Sequence, residues 1–119
     1  MIEAAMLKLV EEAGSGVLVL TDGLDESELL GSRLTRAEVR RQLELLAATL
    51  AALSAPTRDS MPELDWDGWR ATQAALAQPG SAQDDALWFA VRSLVPATLT
   101  WLRVYRHERP ELFAFTIRS

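Results

Sequence analysis

The chain has 119 residues, no cysteine, a formal charge of −5 and an isoelectric point near 4.8. This length fits a single domain, residues 1–119, that can build a core without disulfides. The missing cysteines exclude thiolate chemistry and sulfur-ligated metals, and the acidic balance disfavours general attraction to RNA. No apolar run approaches the roughly 20 residues of a membrane span, and the start Met1-Ile2-Glu3 does not resemble a secretion signal. We therefore expect a cytoplasmic protein.

Apolar residues at three- and four-residue steps predict a first helix from about Ile2 to Leu20. The predicted buried stripe consists of Ile2, Met6, Leu9, Ala13, Val17 and Leu20. The segment Gly14-Ser15-Gly16 interrupts this helix, although each glycine costs about 1 kcal/mol relative to alanine in a helix interior. We expect another helix to pack closely there, or a local kink, because a phosphate-binding loop needs a preceding strand and a following Lys or Thr.

A polar connection follows, from Thr21 to Leu34, with a short helical piece predicted at Asp25–Leu30. Its acidic residues are Asp22, Asp25, Glu26 and Glu28. They lack the regular ligand spacing of a calcium loop, so they indicate a solvated helix start rather than a metal site. We predict no metal and no cofactor.

The second helix has the clearest pattern in the chain. Thr35 and Glu38 predict a capping box at its start. Apolar residues at alternating four- and three-residue steps follow at Val39, Leu43, Leu46, Leu50 and Leu53. Such a seam packs against other helices at shallow angles. Arg36, Arg40 and Arg41 lie off the seam, where solvent exposure or pairing with acids is favoured over a nucleic-acid patch.

The segment Ser54–Met61 is predicted to be a loop in which Pro56 marks the helix exit. Asp65 then caps a third helix that extends to about Gln78, where Pro79-Gly80 stops it. Trp66, Trp69 and Leu76 give this helix an apolar side. The positions beside that side are Gln73, Ala74, Gln78 and Gly80, none of which is a strong acid, base or nucleophile.

Ser81 and Asp84 offer a cap for a long last helix that runs to about Arg109 and ends at Pro110. Its apolar positions are Trp88, Val91, Val95, Leu99, Leu102 and Tyr105. Pro96 is expected to bend it, because proline removes one backbone hydrogen bond. The apolar tail after Pro110 is expected to dock on the helices or on a second copy. The fold class is all-α, an antiparallel up-and-down bundle of four to five helices.

The order of these segments resembles the HepT-like branch of the HEPN superfamily. The resemblance runs from about Leu34 to Arg103, through LTRAEVRRQLELL, PELDW and DDALWFAVRSLVPATL. Proteins of this branch are small and are encoded beside minimal nucleotidyltransferases in toxin–antitoxin pairs. The resemblance implies an antiparallel helical bundle that forms a homodimer. In active members it also implies metal-independent RNA cleavage by an Arg-x4–6-His motif, often followed by a Tyr that the partner enzyme adenylylates.

The motif itself is replaced in this chain. Counted from PELDW without gaps, the family's Arg falls on Gln73, its following Asn on Ala74, its His on Gln78 and its Tyr on Gly80. A neutral Gln cannot deliver a proton or neutralise a phosphate, as the His and Arg of the motif do. The Gly-Glu pair common in the family's second helix appears here as Ala47-Ala48.

The resemblance therefore favours a non-catalytic interaction protein that partners a nucleotidyltransferase or an active relative, with RNA an unlikely partner. One alternative is an RNase that uses other residues, such as Arg70 with Asp65 or Asp67. The other is a bundle that binds a nucleotide or another small ligand through Gln73 and Gln78.

Several further residues invite a role. His107, the single histidine, is expected to lie at the C-terminal end of the last helix on the surface, where a protonated imidazole is favoured. Tyr105 could be a modification target, but its place on the apolar seam favours packing. The tryptophans are expected to anchor the core or an interface. The candidates for an interface are Trp66, Trp69, Phe113 and Phe115.

Overall fold

A computed structural model describes residues 2–114, and every regular element within that range is helical, which confirms the all-α class. The helices are α1 (Ile2–Thr21), α2 (Glu26–Gly31), α3 (Arg33–Ala51), α4 (Ala55–Asp59), α5 (Trp66–Leu76), α6 (Ser81–Phe89) and α7 (Val95–Glu108). A π-helical turn, Ala90–Leu94, joins α6 to α7, and a 3-10 turn, Pro110–Leu112, follows α7. None of these described helices has both the length and the apolar character that crossing a bilayer requires.

Helix α3 lies at the centre of the packing, since it contacts α1 on one side and α5 on another, while α1 also contacts α7. The predicted seam is confirmed: Val39, Leu43, Leu46, Leu50 and Leu53 are all buried. Leucine and valine at this spacing place their side chains on one face, so a single helix can supply apolar surface to several neighbours.

The buried face of α1 differs from the predicted stripe. Ala13 and Val17 are buried as predicted, but Ile2, Leu9 and Leu20 are exposed. The side of α1 that faces α3 and α7 instead contains Ala4, Leu7, Val10, Gly14 and Thr21. The sequence supports both stripes because apolar residues cover more than half of this helix, and only the positions of the neighbouring helices decide between them.

The start of α3 also differs from the prediction. Its N-cap is Ser32, so Thr35 lies inside the helix and forms no capping box with Glu38. The Glu38 carboxylate instead accepts hydrogen bonds from Arg41 and Gln42, which lower its pKa to about 2. The capping box of this region belongs to α2, where the Asp25 carboxylate accepts from the backbone N–H of Glu28 and the Glu28 carboxylate accepts from that of Asp25. This is the helix start that the acidic connection predicted.

Three of the four arginines of α3, Arg36, Arg40 and Arg41, pair with acids, as one of the two favoured outcomes anticipated. Arg36 pairs with Asp84. Arg41 lies 2.7 Å from Glu38, and Arg40 lies 3.9 Å from Glu44 at the next helical turn. Their positive charge is thereby offset locally, as expected for the solvated side of a helix.

The segment after α3 contains a helix where a loop was predicted. Ser54 caps α4, and Pro56 lies in its first turn rather than marking the end of α3. Proline is tolerated there because a first-turn N–H has no partner within the helix. Glu3 of α1 anchors this start: its carboxylate accepts hydrogen bonds from the Thr57 hydroxyl and from the backbone and side chain of Ser54. These bonds, chiefly the one from Thr57, hold the pKa of Glu3 below its usual value.

The predicted last helix is divided by the π-helical turn Ala90–Leu94, and α6 starts at Ser81 with Gly80 as its N-cap, so Ser81 does not act as the cap. Pro96 lies just beyond the π-helical turn, in the first turn of α7. In a π-helical turn the hydrogen bonds join residues five apart instead of four, so some carbonyls no longer pair with the usual N–H. A proline, which has no N–H, can therefore follow this turn without ending the helix. The structure thus shows a wider turn directly before Pro96, and the predicted bend of the helix stays a prediction.

After α7 the chain folds back on the helices. Phe113 is buried, and the Arg106 guanidinium lies over its ring at 4.5 Å from the centroid. Docking of the tail on its own chain is confirmed as far as Phe113. Phe115, the other aromatic of the tail, lies outside the described residues.

Gly14 lies where Leu99 of α7 packs against α1. A Cβ atom built on Gly14 would lie 3.0 Å from Cδ2 of Leu99, whereas one on Gly16 would have no neighbour within 4 Å. Close packing of another helix is therefore the reason for Gly14, as predicted. No kink is required, because α1 continues through both glycines.

We expect Gly14→Val to lower the free energy of unfolding by about 1–2 kcal/mol, since its methyl groups meet the Leu99 side chain. Gly16→Ala is the matched control and should raise stability by up to about 1 kcal/mol through helix propensity alone. Urea titration followed by circular dichroism measures both values. Adding Leu99→Ala to Gly14→Val should relieve the clash, and equal effects at the two glycines would contradict the proposed contact.

Candidate functional site: a cavity beside α5

A cavity of about 540 Å³ lies between α3, α4 and α5. Its apolar lining comes from Ala47, Leu50, Ala51, Pro62, Trp66 and Trp69, and its polar lining from Arg58, Asp59, Arg70 and Gln73. Trp66, Arg70 and Gln73 are spaced by four and three residues, so α5 presents them on one side. A largely apolar cavity of this size with a few polar groups is typical of a small-molecule site.

Hydrogen bonds fix both tryptophan rings. The Trp69 indole N–H donates to the Thr98 hydroxyl of α7 at 2.9 Å, and the Trp66 indole N–H donates to the Met61 carbonyl at 3.0 Å. The polar edge of each ring is therefore already satisfied. What these residues offer to the cavity is rigid aromatic surface.

The polar lining residues divide into paired and unpaired groups. Arg70 forms an exposed ion pair with Asp67 at 2.9 Å. Arg58 pairs with no carboxylate within residues 2–114. The Gln73 amide also makes no hydrogen bond in the described part of the chain, although the residue is half-buried. A guanidinium and an amide are thus available in the cavity.

The positions onto which the sequence resemblance would carry the Arg-x4–6-His motif and its following Tyr do not share one site. Gln73 lines the cavity, whereas Gln78 and Gly80 lie beyond the end of α5 and are exposed. Gly80 has a φ of +113°, a conformation that residues with side chains rarely adopt. A tyrosine at this position would be strained, so the backbone here suits the glycine that the sequence has.

Asp65 and Arg70, the weak candidates for an RNase site, have structural partners. The Asp65 carboxylate accepts a hydrogen bond from the Gly68 backbone N–H at 2.8 Å and caps α5, as predicted. Arg70 is paired with Asp67. Both side chains are therefore engaged in structural contacts.

The single histidine lies elsewhere. His107 is exposed in the last turn of α7, as predicted, and is not among the residues that line the cavity. Tyr105 is buried, stacks on Trp101 with the ring centroids 5.9 Å apart, and donates a hydrogen bond from its hydroxyl to the Glu63 carboxylate. Packing on the apolar seam is therefore the role of Tyr105 in this structure.

Two of the proposed interface residues are already covered by the chain itself. Trp69 is 2% exposed and Phe113 is 5% exposed. Trp66 is half-buried at the wall of the cavity. Of these three aromatic residues, only Trp66 presents appreciable surface.

Sequence reasoning missed Arg58 and Asp59 as lining residues because it placed a loop at Ser54–Met61. A signal was present: a serine that can cap, followed within two residues by a proline, is typical of a helix start. A helix there turns Arg58 and Asp59 toward α5, which a sequence-based prediction of a loop could not anticipate.

Within residues 2–114, no three histidine, aspartate or glutamate side chains converge as a metal site. Comparison of the chain with protein-family models, curated proteins and solved structures found no match.

Proposed function

We propose that the chain is a non-catalytic, HepT-like interaction module, a cytoplasmic single-domain antiparallel bundle that forms a homodimer. In this proposal it partners a nucleotidyltransferase or an active relative. The observation that supports the non-catalytic part is that Gln73 lines the cavity and brings neither charge nor proton transfer. Counted from PELDW, Gln73 is the residue that the resemblance aligns with the family's arginine. His107, the single histidine of the chain, lies in the last turn of α7 and is not among the residues that line the cavity.

Exposed aliphatic residues on α1 and α3 support an interaction role. Leu9 and Leu20 are eleven residues apart, as are Leu34 and Leu45, and this spacing returns a helix to nearly the same side. The exposed aliphatic residues include Ile2, Leu9 and Leu20 on α1, and Leu34 and Leu45 on α3. Leu34 is 85% exposed and Ile2 is 74% exposed. Large apolar side chains exposed on two adjacent helices are typical of surfaces that associate.

The first test addresses catalysis. The purified chain is expected to leave single-stranded and structured RNA intact, because no histidine lines the cavity and Gln73 can neither transfer a proton nor neutralise a phosphate. Cleavage would be followed by gel electrophoresis with and without a chelator. RNA cleavage that disappears in an Arg70→Ala variant would overturn the proposal in favour of an RNase with another mechanism.

The second test addresses association. Sedimentation equilibrium should give about twice the chain mass of 13.1 kDa. The double substitution Leu34→Glu and Leu45→Glu should yield a monomer, since two buried carboxylates in an apolar interface are strongly unfavourable. Ala97→Glu, an exposed position on α7, is the control and should remain dimeric. A wild-type monomer that retains no nucleotidyltransferase on co-expression would contradict the proposal.

A further inference from the structure

We infer that the cavity beside α5 is a binding site for a small organic anion that carries a planar ring. This inference goes beyond the proposed interaction role and does not depend on dimerisation or on the absence of RNase activity. It rests on the charge, the aromatic surface and the unpaired polar groups that meet between α3, α4 and α5.

The charge of the lining is opposite to that of the chain. Arg58 and Arg70 stand against the single acid Asp59 in the cavity, while the whole chain carries a formal charge of −5. Local positive charge in an acidic protein selects anions at that point without attracting them elsewhere. The guanidinium of Arg58 suits a phosphate or carboxylate, because its planar fork can donate two parallel hydrogen bonds.

The pairing of these arginines favours Arg58 as the main anion-binding group. Arg58 has no carboxylate partner within residues 2–114, and its side chain is partly buried. Arg70 is bound to Asp67, but that pair is largely solvent-exposed and contributes little, so Arg70 can turn to a ligand. Arg58 can therefore turn its guanidinium to an anion without breaking an existing ion pair.

The apolar wall favours a planar ring over a bare ion. Trp66 lines the cavity with its indole N–H already bonded to Met61, and Ala47 and Ala51 add small side chains to the lining. The Gln73 amide has no partner in the described residues, so it can donate hydrogen bonds to polar groups at the edge of the ligand's ring, or accept them. Inorganic phosphate would leave the aromatic surface and this amide unused.

A second cavity, between α1 and α7, does not have this character. Its arginine, Arg106, is paired with Glu11 and lies over the Phe113 ring. Of its charged groups, Arg106 and Glu11 are engaged with each other, whereas Lys8 and Glu12 form no ion pair within residues 2–114. The lining of this second cavity contains no tryptophan, whereas Trp66 and Trp69 line the cavity beside α5.

The test is calorimetric titration of the full chain with three probes: adenosine 5′-monophosphate, phenyl phosphate and 4-hydroxybenzoate. We expect at least one to bind and to change tryptophan fluorescence, because Trp66 and Trp69 line the site. Comparison of the two phenyl compounds separates phosphate from carboxylate, and the nucleotide separates a purine from a simple ring. Inorganic phosphate and adenosine, each lacking one half of the recognised chemistry, should bind more weakly than the probes.

Variants locate the binding. Arg58→Gln should weaken it about tenfold or more, through loss of a charge-assisted hydrogen bond. Ala51→Trp, at an exposed position on the cavity wall, should block binding by filling the site. Arg103→Gln, which removes an exposed arginine outside the cavity, is the control and should bind as the wild type does. Circular dichroism and Tm establish that each variant is folded.

Three results would each overturn the inference. The first is the failure of every probe to bind with a dissociation constant below about 1 mM. The second is unchanged binding by folded Arg58→Gln and Ala51→Trp. The third is an RNA oligonucleotide that binds about tenfold more tightly than the mononucleotide. That result would indicate that the surface binds a nucleic-acid chain rather than a small anion.

Discussion

Replacing Trp69 with alanine is expected to lower the free energy of unfolding by about 3–5 kcal/mol. Trp69 is 2% exposed, and its indole joins α5 to α7 through the hydrogen bond to Thr98. The substitution removes the largest side chain at this junction and leaves a void. It also leaves the Thr98 hydroxyl, itself 2% exposed, without its donor.

Denaturant titration at one fixed protein concentration measures this loss, because association makes apparent stability concentration-dependent. Trp69→Phe keeps much of the ring and should have a smaller effect. Adding Thr98→Val to Trp69→Phe should recover part of the loss, since the unpaired hydroxyl is removed. Trp101→Ala, at a position 37% exposed, is the surface control and should change stability much less. A comparable loss at Trp101 would contradict the central position given to Trp69.

The second large effect is expected at high pH. Burial, and then the hydrogen bond to Glu63, raise the pKa of Tyr105 from 10.0 to about 12. The unfolded chain loses the phenolic proton near pH 10, whereas the folded chain keeps it. The stability contributed by the neutral phenol is therefore complete below pH 10 and is lost as the pH rises from 10 to about 12.

Tyr105→Phe should lower stability by about 2–3 kcal/mol near neutral pH and remove this component of the alkaline loss. The reason is that the hydroxyl both donates to the Glu63 carboxylate and accepts the Glu63 backbone N–H at 3.1 Å. Glu63→Gln keeps an acceptor but removes the charge, so the pKa of Tyr105 should fall only in part.

The ultraviolet absorbance of phenolate follows the proton directly, since Tyr105 is the single tyrosine and the chain has no cysteine. Unfolding curves between pH 8 and pH 12 supply the matching free energies. A Tyr105 titration midpoint near pH 10 in the folded protein would contradict the buried contact with Glu63.

The sequence predicted the parts of the fold in which one helix face is unambiguous. The seam of α3 from Val39 to Leu50 and the cap of α5 at Asp65 are found where they were expected. In both, a single physical signal dominates: regular apolar spacing in one case, and a short acceptor side chain before a helix in the other.

The predictions from sequence failed where two patterns fit the same segment, or where packing against neighbouring helices decides which face is buried. Apolar residues on two sides of α1 fit two stripes, and the chosen one left Leu9 and Leu20 exposed. Pro56 is compatible with a helix end and with a helix start, and the second applies. Of the cavity, Gln73 was identified from the resemblance, but Arg58 lies on α4, whose Ser-and-Pro start signal was interpreted as part of a loop.

The π-helical turn Ala90–Leu94 has a consequence for comparisons with relatives. A turn that holds one extra residue rotates everything after it by about 100° relative to an uninterrupted α-helix. Homologues with a regular helix at this point should therefore align with α7 only after a one-residue gap. Deleting a single residue from the turn should swing Leu99 away from Gly14 and move Tyr105 off Glu63, so that one deletion breaks two contacts far apart in sequence.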